Sequence, residues 1–276
     1  MTISHWIKIQ KMKGDTMIIY VNGDSHSAGA ELVKNYCFAE DDPRYNYLGR
    51  IPHPDAIPLT YGNYIANALN AGYFLDAESA GSNDRVVRTT REFLKQKRAG
   101  GKIIIIGWTT WERKEVWHED RYYQLTASGS DSVPDGLFDT YQSWVIEQTQ
   151  DKLREKQEYW HKQIYSFHNE LTESNIKHLF FNSMHAFNKE WTGEVDWQDC
   201  YIEPYNKDWT YSNWAAEQGF INVNYGSNHY GEDAHRAWGK VLLKRLTNNT
   251  DTSIINVKKP KNKIDTTVNT GIMRLK

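Results

Sequence analysis

The chain has 276 residues, with 33 Lys plus Arg against 35 Asp plus Glu and a formal net charge of −2, a balance that excludes a uniformly basic nucleic-acid binder. Apolar residues make up 39% and charged residues 25%, enough for one sizeable core and too apolar for a chain disordered throughout. Aromatic residues reach 13%, with 11 Trp, 17 Tyr and 9 Phe, more amphipathic rings than a core needs.

The longest purely aliphatic run, Ile103 to Ile106, falls far short of the roughly 20 residues that span a bilayer, so no membrane partner is expected. The opening stretch, MTISHWIKIQKMKGD, lacks the apolar core and small-residue cleavage site of a secretory signal. Cys37 and Cys200 have neither disulfide-framework numbers nor metal-ligand spacing, and the expectation is synthesis in a reducing cytoplasm. Residues 247–276 carry six basic and two acidic side chains, a net +4 that leaves −6 on the remainder. Rich in Asn and Thr, they read as a mobile or partner-docking tail. Residues 1–16 read as a flexible leader, and residues 17–246 as one domain with aromatic-rich insertions.

In chain order, Met17 to Val21 reads as a strand that turns at Asn22-Gly23 into a helix over about His26 to Phe38. A loop with Pro43, Pro52, Pro54 and Pro58 precedes a helix over Tyr61 to Leu69, then a short strand near Phe74 to Glu78. Asp84 to Lys97 has helical spacing, and Lys102 to Ile106 suits a strand covered on both faces. Phe138 to Leu171 predicts one bent helix or two joined ones. Ile176 to Phe181 predicts a fourth strand, Phe220 to Val223 a fifth, and Glu232 to Leu246 a closing helix. The alternation predicts a three-layer α/β/α sandwich with a mainly parallel sheet of about five strands.

In such a sheet functional groups collect at the carboxyl ends of the strands. The first strand is followed by Gly23-Asp24-Ser25-His26, which places Ser25 at a helix N-terminus that favours developing negative charge. The next two strands are followed by Gly81-Ser82-Asn83-Asp84-Arg85 and by Gly107-Trp108-Thr109-Thr110-Trp111-Glu112-Arg113. Two histidines, His229 and His235, stand at the mouth of the last helix.

This order of blocks resembles the SGNH hydrolases, whose fold is of the flavodoxin-like class, over residues 17 to 246. The resemblance implies Ser25 as nucleophile, Gly81 as a backbone oxyanion donor and His229 as base, with no cofactor and no metal. Two positions depart from the family pattern. Thr109 stands where the family has an oxyanion Asn, and Gly226 stands where it has an Asp three residues before the base. An alternative base is His235, with Glu232 three residues ahead on the helix. The run GWTTWER, with SNDRVVRTT before it, resembles phage-encoded members, which would give the tail a virion or a second copy to touch.

The implied chemistry is acyl transfer: His229 removes the Ser25 proton, Ser25 attacks an ester carbonyl, and backbone N–H groups with Thr109 hold the oxyanion. Trp108, Trp111, Asn83 and Arg113 are the expected substrate contacts. Asn83, Asp84 and Arg85 fit helix capping and pairing equally well, and Glu112 could pair with Arg113. Aromatic residues crowd 108–123 and 184–214, including Trp117, Trp191, Trp197, Trp209 and Trp214, which suits sugar faces and hence an O-acetyl esterase acting on a polysaccharide. Two other readings compete. The same scaffold could be a non-catalytic carbohydrate-binding or virion module. Alternatively, Asp24 and His26 could open a dinuclear metallophosphoesterase site with His229 and His235, although its bridging acid and GNH-like element are missing.

Overall fold

Four parallel strands carry the molecule: β1 (Ile18–Gly23), β2 (Gly72–Leu75), β3 (Lys102–Trp108) and, after an intervening hairpin, β6 (Lys177–Asn182), in the spatial order β2-β1-β3-β6. The computed structural model describes residues 17–33, 51–96, 100–126, 133–224 and 227–247. The leader, Cys37, Gly226 and residues 248–276 of the tail lie outside them. Because side chains alternate across a strand, Ile19, Val21, Ile103 and Ile105 enter one core, and Ile18, Tyr20, Ile104 and Ile106 enter a second on the other face.

Helices α2 (Tyr61–Ala68), α7 (Tyr211–Glu217) and α8 (Glu232–Thr247) cover the first face through Tyr61, Ile65, Trp214, Trp238 and Leu242. Helices α3 (Asn83–Lys95) and α5 (Gln150–Glu173) cover the second through Val86, Phe93, Trp160, Ile164 and Phe167. The expected three-layer α/β/α sandwich therefore forms. The chain leaves β1 for β2 on one side and reaches β3 on the other. The carboxyl ends of β1 and β3 thus flank the switch point where open α/β sheets hold ligands.

Several elements differ from expectation. The helix after β1 is a single turn, α1 (Ser25–Ala28), because Gly29 takes a left-handed φ of 69° and its N–H closes on the Ser25 carbonyl. Residues 220–223 form no fifth sheet strand: Ile221 faces solvent and Asn222 makes one isolated bridge to Tyr230. Lys114–His118 (β4) and Arg121–Leu125 (β5) form an antiparallel hairpin that the sequence did not announce. The 138–171 region forms two helices, α4 (Phe138–Ile146) and α5, the second of the two forms expected, and a one-turn α6 (Lys189–Thr192) follows β6. Among the described residues no helix is long and apolar enough to cross a membrane.

Candidate active site

The first edge of the site is the turn from β1 into α1. Gly23 has φ 149°, and a Cβ there would lie 2.4 Å from the Ser27 Oγ and 2.6 Å from the Gly107 carbonyl, so only glycine lets β1, β3 and α1 meet. Asn22 anchors the turn by accepting the Gly23 N–H at 2.8 Å and donating to Tyr20 and Thr89 at 2.9 Å each. Asp24 caps α1, its Oδ1 accepting the His26 N–H at 3.1 Å. Ser25 is the first residue of α1 and is 7% exposed. One turn builds little macrodipole, so any electrostatic help there comes from individual N–H groups and side chains.

His229 reaches the same turn from the loop before α8, its ring edge-on to His26 with centroids 5.2 Å apart. Its Nδ1 lies 3.1 Å from the Glu31 Oε2. Ser227 joins them: its Oγ donates to the Glu31 carboxylate and accepts the His229 N–H at 2.9 Å. A carboxylate on Nδ1 fixes the tautomer that keeps Nε2 unprotonated, the nitrogen a serine base must present. Glu31, held at φ 64° just beyond Gly29, was missed in the sequence. No spacing rule links an acid six residues after the nucleophile to a histidine almost two hundred residues later.

His235 does not fit the role of alternative base. It is buried, stacked on Tyr61 at 5.7 Å and 11°, with its Nδ1 accepting the Tyr61 N–H at 3.4 Å. Burial, reinforced by His26 and His229, pushes its imidazole down to about 3. Glu232 points outward and pairs with Arg236 one turn on. His26 is a buried neighbour of this histidine; burial outweighs the pull of Asp24 and brings it down to about 4.

On the opposite side, the Gly81 N–H is not presented to a substrate, because it closes a turn on the Glu78 carbonyl at 2.9 Å. Asn83 is also withdrawn: it is buried, accepts the Thr109 N–H at 3.0 Å and donates to the Thr109 carbonyl at 3.3 Å, so it positions the loop after β3. The cap of α3 is Ser82, whose Oγ accepts the Arg85 N–H at 3.3 Å. The Arg113 Nη1 donates to the Thr109 Oγ1 at 2.8 Å and to the Gly81 carbonyl at 3.4 Å, and lies 3.7 Å from the Asp24 Oδ2. One guanidinium thus ties together the loops after β1, β2 and β3. Since guanidinium only donates, the Thr109 hydroxyl proton is directed elsewhere. Glu112 accepts from Thr110 at 2.6 Å and leaves Arg113 to Asp24.

No family model matches the chain, and no curated protein matches it. Among solved structures it is similar to a carbohydrate esterase whose active site is described as displaying divergent catalytic and non-catalytic binding functions, at 12% identity and a TM-score of 0.46, over 88% of this chain and 68% of that one. It is also similar to a carbohydrate esterase family 2 enzyme with a carbohydrate binding domain from Corynascus thermopiles (Myceliophthora fergusii), at 15% identity and a TM-score of 0.37, over 87% of this chain and 68% of that one. A G-D-S-L family protein from Desulfitobacterium hafniense DCB-2, described as lipolytic, matches at 14% identity and a TM-score of 0.32, over 84% of this chain and 99% of that one.

The aromatic surface expected beside the site is smaller than the sequence suggested. Trp108 is fully buried edge-on against Phe167 and Phe180, and Trp111 stacks on Phe187 at 4.6 Å, so neither ring offers a face to a sugar. Trp197 and Trp214 are buried as well, whereas Trp117, Trp191 and Trp209 are exposed. The loop after β6 also opens a cleft of about 550 Å³ lined by Glu194, Trp197, Glu203, Tyr205 and Lys207 among others. Asp24, His26, His229 and His235 make no cluster of three converging metal donors among the described residues.

Proposed function

We propose that the chain is a serine ester hydrolase of the SGNH type, with Ser25 as nucleophile, His229 as base and Glu31 as the acid that orients it. The observation that carries this reading is the 3.1 Å contact between the His229 Nδ1 and the Glu31 Oε2 beside the Ser25 turn. His229 takes the Ser25 proton through Nε2 as Oγ attacks the ester carbonyl, and Glu31 stabilises the imidazolium that results. The oxyanion is met by the Ser25 N–H and the Thr109 hydroxyl, with the Arg113 charge behind them, in place of the Gly81 N–H and the family's Asn. His229 then protonates the leaving alcohol, and a water activated by the same nitrogen releases the acyl group.

The substrate proposed is a short-chain ester on a carbohydrate. Asp24, His26, Glu31, Thr109, Arg113 and Ser227 gather around the turn, a polar set suited to a short acyl group on a polar alcohol. Release of acetate from an O-acetylated polysaccharide is the expected activity, abolished in Ser25→Ala, with p-nitrophenyl acetate preferred to the octanoate. A preference for the octanoate would overturn the substrate class. Acetate release that persists in Ser25→Ala would overturn the nucleophile.

A further inference from the structure

A second group of ligating side chains lies away from the proposed active site, towards the amino ends of the strands. His178 is the second residue of β6, His168 sits on the buried face of α5, and Cys200 is half-buried on the loop fastened to β6 by the Phe180 N–H donating to the Cys200 carbonyl at 2.7 Å. A ring nitrogen of each histidine and the Cys200 Sγ all lie within 4.8 Å of one another. The His168 Nδ1 and His178 Nε2 face each other at 2.8 Å, and the His178 Nδ1 lies 2.8 Å from the Ile176 carbonyl. A carbonyl only accepts, so His178 carries its proton on Nδ1 and turns the Nε2 lone pair inward. A backbone carbonyl on the far nitrogen is the way proteins orient histidines that bind metals.

With no ion between them the two rings share one hydrogen bond, the His168 Nδ1–H donating to the His178 Nε2, and a metal held by both nitrogens takes the place of that proton, which moves to the His168 Nε2. We propose that His168, His178 and Cys200 form a zinc site, with solvent as fourth ligand, that ties the 193–201 loop to the sheet. Imidazole and thiolate donors suit zinc over magnesium or calcium. Bond lengths of about 2.0–2.1 Å to nitrogen and 2.3 Å to sulfur require donors roughly 3.3–3.8 Å apart, so the facing nitrogens open by about half an ångström and the sulfur moves inward. Binding releases the Cys200 thiol proton to solvent.

The test uses the full chain carrying Cys37→Ser, stripped of metal and titrated with Zn²⁺ and, in parallel, Co²⁺. One equivalent of zinc is expected to bind at micromolar concentration and raise the melting temperature, and cobalt is expected to give a thiolate charge-transfer band. Adding Cys200→Ser, at a half-buried position, abolishes the band and weakens zinc at least about tenfold while leaving the metal-free circular dichroism spectrum and melting temperature unchanged; His178→Gln does the same to metal binding. Unchanged binding in Cys200→Ser, binding lost instead in His229→Ala, or no stoichiometric binding would each overturn the site.

Discussion

At the scale of single residues, the proposed mechanism gives Glu31 and Arg113 roles that the SGNH pattern places elsewhere. A histidine without its acid loses the correct tautomer and the stabilisation of its charged form. Glu31→Gln is therefore expected to lower kcat on p-nitrophenyl acetate by at least about tenfold, with KM little changed. An unchanged kcat would show that Glu31 and His229 are only surface neighbours. Arg113 braces the Thr109 hydroxyl at 2.8 Å and faces Asp24 at 3.7 Å. Arg113→Ala should cost about 10²-fold in kcat, the scale of one oxyanion donor, and Thr109→Val a similar amount. The effects should be less than additive in the double variant, because the two groups act through one contact.

At the scale of elements, α3 is locked to the sheet by Arg85. Its guanidinium reaches the Asp76 carboxylate at 3.3 Å, the Glu78 carboxylate at 2.6 Å and the Asp76 carbonyl at 2.6 Å, and all three side chains are mostly buried. Arg85→Ala leaves two carboxylates without a counter-charge and is expected to destabilise the fold by about 3–5 kcal/mol in urea denaturation; a change under about 1 kcal/mol would contradict the clamp. The elements legible in the sequence were those whose apolar pattern matched their burial: the run at Ile103–Ile106 became β3, and Asp84 to Lys97 became α3 within two residues at each end. The hairpin was not legible, because its turn is Glu119-Asp120, with Glu119 at φ 54°, where a signal would be Asn-Gly or Asp-Gly. The blocks Gly23-Asp24-Ser25 and His229 were legible by local wording. The Asn83 amide and the Gly81 N–H were misjudged because their partners, Thr109 and Glu78, are set by tertiary structure and turn geometry.

At the scale of the whole molecule, buried neutral histidines couple folding to pH. The His26 and His235 imidazoles are lowered to about 4 and about 3 by burial, against about 6.5 in an unfolded chain. Protons then bind the unfolded chain more tightly, so stability is full above pH 6.5, falls as pH drops below it and levels only near the folded values. Each ring accounts for about 2 kcal/mol at pH 5, and the melting temperature should fall between pH 7 and pH 5. His235→Gln should flatten that slope by about one proton. An unchanged slope would mean that His235 is not held neutral.

The sheet, with its switch point between β1 and β3, brings the Ser25 turn, Glu31 and Arg113 to one edge, and the central claim is that this edge activates Ser25. The most direct measurement is covalent labelling of the full chain by a fluorophosphonate, with the modified peptide mapped by mass spectrometry. The modification is expected on Ser25 alone, lost in Ser25→Ala and His229→Ala and slowed in Glu31→Gln. No labelling of the wild-type chain, or labelling undiminished in His229→Ala, would contradict it.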